Sequence, residues 1–252
     1  MRRILSLPAV IAAFFALVAI GSCGQKKTET NRPPSEQGAS LQSSKEVAAE
    51  PGKVPPGKVI VDVDVLTCFA DEPDYHYGLA RTAFLNKDYD KAYDEIVKGA
   101  AFVRLESMRA SGDEERMLDD AATSLSELAD AVKGRTITSV SKLDETFSHA
   151  EQALAYHHEM RAEQYWSEDN AKGAGQDLKA ASMHLENSMK YGGEKTETDT
   201  RDVIKNANDV GDKLVAGTAL AADKVGKGMQ ALGAKIEAWG KKTINQNQNQ
   251  KK

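Results

Sequence analysis

Cysteine is scarce in this chain. Cys23 and Cys68 are the two thiols in 252 residues, too few for a disulfide framework. Aromatic residues reach only 6%, while alanine is plentiful, a mixture that favours helices packed through small side chains. Excess basic charge is missing as well: the formal net charge is −5, with no basic stripe of the kind a nucleic-acid binder carries. Proline is nearly confined to the first quarter, and five of the seven stand at positions 33, 34, 51, 55 and 56. The motifs of catalysis are missing too. There is no His-Glu-x-x-His, no Cys-x-x-Cys-His, no Gly-x-Ser-x-Gly and no phosphate-binding loop. None of His76, His149, His157, His158 and His184 follows an acidic residue by three positions, so the Glu-x-x-His of di-iron bundles is absent. These absences point away from an enzyme and from a bound cofactor.

One long apolar run is present, at the start. Met1-Arg2-Arg3 is basic, Ile4 to Ile20 carries no charge, and Gly21, Ser22 and Cys23 follow. A basic start, a short apolar stretch and small residues form the secretory-signal pattern. Pro8 and a length at the low edge for a spanning helix weaken the alternative of an uncleaved membrane anchor. Ile20-Gly21-Ser22-Cys23 resembles the lipobox of bacterial lipoproteins. The resemblance implies cleavage before Cys23 and acylation of its thiol and new amine, with no other site residue carried over. Two or more acyl chains anchor stably, at ~0.8 kcal/mol per buried CH₂. Gly24 in place of the Asp that retains such proteins in the inner membrane of enteric-type bacteria implies the outer membrane, facing the periplasm.

Residues 24–57 are rich in Ser, Thr, Gln, Lys and Glu, and Leu41 is a rare large apolar residue among them. Such a composition buries no core and stays disordered. As a flexible coil it reaches about 30–35 Å. The expected organisation is therefore a signal peptide over 1–22, lipidated Cys23 with a tether over 23–57, a bundle domain over 58–193, a glycine-containing amphipathic helix over 194–244 and a polar tail over 245–252.

The fold expected is all-α: an antiparallel bundle of αα-hairpins with one short N-terminal strand and a long C-terminal amphipathic helix. Val59 to Leu66 alternates as a half-buried strand does. Helices are expected over about 74–86, 88–108, 113–133, from Ser141 onward, and 170–191. The third is clearest, with Leu118, Ala121, Ala122, Leu125, Leu128, Ala129 and Val132 on one stripe. Two hairpins match at a constant offset of 82: Ala80, Ala83, Phe84, Asp88, Ala92, Ile96 and Val103 against Ala162, Tyr165, Trp166, Asn170, Ala174, Leu178 and Leu185. They resemble the hairpins of tetratricopeptide-type repeats, without the full 34-residue signature. The body also loosely resembles helical proteins of bacterial envelopes that carry no assigned activity.

The last helix pattern spans about 199–244, with Val203 to Trp239 at 3–4 spacing, and contains six glycines, from Gly211 to Gly240. Between Arg201 and Lys242 it holds eight Lys or Arg and five Asp or Glu. Docking on the bundle competes here with lying on anionic lipid or gripping a partner. Candidate metal donors are Glu145 with His149, His157-His158 beside Glu159, and Cys68, Asp71, Asp74 and His76 on one loop. For His157, which sits on the apolar stripe, a satisfied core histidine is the simpler reading. Tyr75-His76-Tyr77 and Tyr165-Trp166 are expected to anchor hairpin corners. Two functions compete: an envelope-anchored interaction or scaffold protein offering a helical groove to a partner, and a periplasmic bundle that binds a small ligand or a metal.

Overall fold

The structure, a computed structural model, describes residues 70–250, with side chains through Thr243; outside that stretch it gives a two-residue antiparallel pairing of Leu5–Ser6 with Lys58–Val59. The signal segment, Cys23, the tether and Cys68 lie outside the described side chains, and of the strand expected over 59–66 only Val59 falls within the described residues.

From residue 70 onward the described chain is all-helical: α1 Glu72–Leu85, α2 Tyr89–Ser107, α3 Asp113–Lys133, α4 Val140–Ser167, α5 Ala171–Tyr191, α6 Thr198–Val215 and α7 Ala222–Gln250. Successive helices pack as hairpins, and α4 also touches α1, α2 and α7. The ends follow local chemistry. α3 opens with Asp113, Glu114 and Glu115 and closes on Lys133 and Gly134, charges that suit the helix dipole. α4 is capped by Ser139, whose hydroxyl accepts from the Ser141 amide at 3.2 Å. The cap is thus two residues earlier than the expected start at Ser141. Asp144, in the first turn, accepts from Arg81 of α1 at 2.8 Å.

Two apolar clusters share α4. The first takes α1, α2, α3 and the first half of α4, around Tyr77, Ile96, Leu118, Leu125, Leu143, Phe147 and Leu154. The second takes the rest of α4 with α5, α6 and α7, around Leu178, Leu185, Val210, Leu232, Ile236 and Trp239. Each fully buried Leu or Ile contributes about 1.5–3 kcal/mol. Tyr77 does not mark a corner: it stacks on Phe147 at 4.5 Å in the first core, whereas Tyr75 is 61% exposed. Tyr165 and Trp166 do pack where α4 turns into α5.

The two matched hairpins share their turn. Lys87 (φ 62°) and Asp169 (φ 59°) are left-handed at the same place. Each is followed by a side chain that caps the next helix, Asp88 accepting from Lys91 and Asn170 from Gly173. The backbone bonds Asp88→Ala83 and Asn170→Tyr165, both 2.9 Å, also correspond. This is a Schellman-type stop joined to an N-cap.

The single helix expected over 199–244 is two. Gly217, at φ 71°, ends α6 in a conformation that costs a side chain strain, and α7 starts afresh at Ala222. Helical backbone then continues to Gln250, into the expected polar tail over 245–252. The apolar faces of both helices are spent on the bundle: Val225, Met229, Leu232, Ile236 and Trp239 are all buried. The glycines permit the approach. A Cβ on Gly175 would fall 2.7 Å from the Gly211 carbonyl oxygen, and one on Gly211 would fall 2.8 Å from the Gly175 oxygen, so α5 and α6 cross backbone to backbone. Among the described residues, no helix is long and apolar enough to cross a membrane.

Candidate functional site

Where the two apolar clusters meet, the interior turns polar. α4 and α5 run antiparallel and are joined by three polar rungs. In the first, the Ser148 hydroxyl donates to the Ser188 carbonyl at 2.8 Å and the Ser188 hydroxyl returns a bond to the Ser148 carbonyl at 2.7 Å. In the second, Glu151 meets His184 Nδ1 at 2.6 Å. In the third, Asp177 meets His158 Nδ1 at 2.6 Å. On α4 these residues share a face with Ala155, and on α5 with Ala181, whose small side chains keep the helices close. All six rung residues are buried.

The histidines form a row. His158 and His184 stack with centroids 5.2 Å apart and planes 8° from parallel, and His157 lies 5.4 Å from His158. His157 is fully buried, with Nδ1 3.0 Å from Glu114 of α3 and Nε2 3.1 Å from Glu106 of α2. Both ring nitrogens face carboxylates, so the ring is an imidazolium that donates twice. Burial alone would lower its pKa, but the two carboxylate bonds raise it above the usual histidine value. Glu106 is the mirror case. Burial opposes its charge, yet the His157 bond and the neighbouring cations, Arg109 first, hold its carboxyl far below the usual range. Arg109 Nη1 lies 2.9 Å from each of its oxygens.

The other two pairs differ. Burial pushes His158 down to about 4 despite its hydrogen bond to Asp177. We therefore read this pair as a neutral imidazole on an ionised Asp177, whose charge partner is Arg161, 3.3 Å away. Burial also opposes ionisation of Asp177, but His158 and Arg161 together keep its pKa below the usual value. Burial raises Glu151, and this outweighs the pull of His184. Among the described residues, His184 Nε2 and Glu151 Oε1 have no hydrogen-bond partner. Beside them lies a cavity of about 10 Å³, lined by Phe102, Leu105, Glu106, Leu154, His158 and His184 among others. That is room for one water and no larger ligand.

The offset of 82 extends to this chemistry. His76 Nδ1 meets Glu95 of α2 at 2.6 Å, at the positions matching His158 and Asp177. Phe102 stacks on His76 at 5.8 Å and 21°, in the place of His184. Each hairpin thus carries, at matching positions, a histidine–carboxylate pair that ties its two helices and a ring laid on the imidazole. In the second hairpin that ring is itself a histidine.

Several of the expected donors are engaged with other partners among the described residues. Glu145 pairs with Lys142 at 2.9 Å. Asp74 accepts from the Tyr191 hydroxyl at 2.7 Å, and His76 is held by Glu95; Cys68 lies outside the described residues. Glu159 does not join the histidines. It packs against α7, where a Cβ on Gly233 would fall 2.5 Å from Glu159 Oε1, and burial together with Glu163 and Glu114 pushes its carboxyl up to about 7. Among the described residues, no three His, Cys, Asp or Glu side chains are grouped to hold a metal ion. The parallel planes of His158 and His184 explain part of this, because their in-plane lone pairs do not converge on one ion.

A shallower cleft of about 340 Å³ opens at the surface between α1, α4 and the end of α5, lined by Gly78, Arg81, Thr82, Asp144, Lys190 and Tyr191. Its charges are paired, Arg81 with Asp144 and Lys190 with Asp74. No protein-family model matches the chain, and no curated protein or solved structure matches it.

Proposed function

We propose that this chain is a lipid-anchored helical interaction or scaffold protein of the bacterial envelope, held by acyl chains on Cys23 and facing the periplasm, with no catalytic role. The observation that carries the reading is the succession of a signal-like segment, Ile20-Gly21-Ser22-Cys23 and a coreless polar stretch before a compact helical body. Two features of the body support it. Its most buried ionisable groups face one another rather than a substrate-sized cavity. The first hairpin also leaves Tyr75, Leu85 and Val97 exposed, apolar surface available to a protein partner.

The test is in-cell crosslinking followed by membrane fractionation, comparing wild type with Cys23→Ser and with a Tyr75→Ala, Val97→Ser double variant. The reading expects discrete crosslinked species that need both the anchor and the exposed hairpin residues. Identical crosslinks in all three proteins would sink it. A small-ligand reading rests on the surface cleft between Arg81 and Lys190. It requires a thermal shift with small carboxylates or phosphate that Arg81→Gln abolishes.

A further inference from the structure

We propose that the stacked His158–His184 pair, with Asp177 and Glu151 behind it, is a proton-operated catch that holds α5 against α4 near neutral pH and releases it in acid. The two rings are buried, come from opposite helices and lie face to face at 5.2 Å. Each Nδ1 is committed to a carboxylate across the interface, His158 to Asp177 and His184 to Glu151. The next proton must therefore land on Nε2. At His184 that atom has no partner among the described residues, and the cavity that His184 lines takes one water. Protonating both rings stacks two buried cations face to face, with Asp177 already shared with Arg161.

The charges around the pair are already engaged. From α2, Glu106 is held by Arg109 and by His157. From α3, Glu114 is held by the other edge of His157. On α4 itself, Arg161 serves Asp177, and from α1, Asp74 adds negative charge near Glu151. The lowered pKa of His158, set first by burial, agrees with this arrangement. The first hairpin lacks the catch. Its stacked ring is Phe102, and His76 Nε2 has Glu72 3.7 Å away to receive a charge.

This inference does not depend on the anchored-scaffold reading, since it concerns the body alone, and either can fail without the other. The test uses the full chain in detergent, titrated from neutral to acid pH by tryptophan fluorescence and proton uptake. Trp239 reports on α5, because its Nε1 donates to Ser188 at 2.7 Å. The expected result is one cooperative fluorescence transition between pH 6.5 and about 4, with proton uptake above that of the exposed carboxylates. A His184→Phe, Glu151→Leu double variant rebuilds the arrangement of Phe102 over His76. In it, uptake in the transition is smaller than in the wild type and the midpoint drops by about one pH unit. Histidine side-chain ¹⁵N NMR on the wild type gives the same answer without any variant, with both rings protonating in one narrow step as the helices separate. Emission unchanged down to pH 4, wild-type proton uptake in the double variant, or two separate protonations with the helices still packed would each overturn the proposal.

Discussion

Asp177 and Glu95 occupy matching places under matching histidines, yet Asp177→Asn should cost far more stability than Glu95→Gln. The side chains of Asp177 and His158 are almost completely buried, and that of Arg161 is 11% exposed. Removing the Asp177 charge strands a buried guanidinium. Breaking a buried pair on one side costs about 3–5 kcal/mol. Arg161 keeps the Tyr165 hydroxyl at 2.7 Å and sits 5.0 Å from its ring centroid, which places the loss near the lower end. For a domain of this size, about 3 kcal/mol corresponds to roughly 6–12 °C in Tm. Glu95 holds His76, 13% exposed, and Lys98, 38% exposed, so water takes over when its charge is lost and the cost is about 1 kcal/mol. Urea unfolding of the full chain, followed by helical circular dichroism, measures both. Losses equal within about 0.5 kcal/mol would refute the claim that burial separates the two copies.

Other outcomes follow from the same geometry. The His158 pKa is about 4 in the fold against 6.5 when unfolded, so its contribution is present above pH 6.5 and lost as pH falls toward 4, about 3 kcal/mol in all. A stability profile flat across that window in a Glu159→Gln background would contradict this. Glu159 acts in the opposite sense. Its folded value of about 7 exceeds the ordinary glutamate value of 4.5, so its contribution is complete below pH 4.5 and lost as pH rises through 7. Glu159→Gln should therefore stabilise by about 1–2 kcal/mol at pH 8 after allowance for screening, and by nothing measurable below pH 4.5; unfolding curves at both pH values decide it. Gly175→Ala, aimed at the Gly211 backbone, should destabilise by about 1–3 kcal/mol. Gly226→Ala meets nothing within 4 Å and should stabilise by up to about 1 kcal/mol. Thermal melts that rank the two glycine variants the other way would show that the α5–α6 crossing is not backbone-limited.

Local patterns were legible in the sequence, and partners distant along the chain were not. α3 could be placed at 113–133 because an uninterrupted stripe lies between Gly112 and Gly134. The break between α6 and α7 stayed hidden, since Gly217 and Ala221 fall at helical spacing and only the backbone angle at Gly217 shows the turn. The buried rungs escaped for a different reason. Searches for metal or catalytic sites examine neighbours in sequence, whereas Glu151 and His184 are 33 residues apart and Glu106 and His157 are 51 apart. One signal could have found them: the offset of 82 that pairs Ala80 with Ala162 also pairs His76 with His158, Glu95 with Asp177 and Phe102 with His184. Reading His157 as a satisfied core residue was sound, but what satisfies it comes from α2 and α3.

The anchor is the claim on which the proposed function stands, and the mass of the N-terminal peptide tests it most directly. The chain is expressed with its own first 23 residues in a bacterium that processes lipoproteins, extracted in detergent and digested. The account predicts a first residue of Cys23 carrying a diacylglycerol and an amide-linked acyl chain, with the Cys23→Ser protein absent from the detergent-rich phase. A peptide that begins at Met1, or one with an unmodified Cys23 thiol in the membrane fraction, would contradict it.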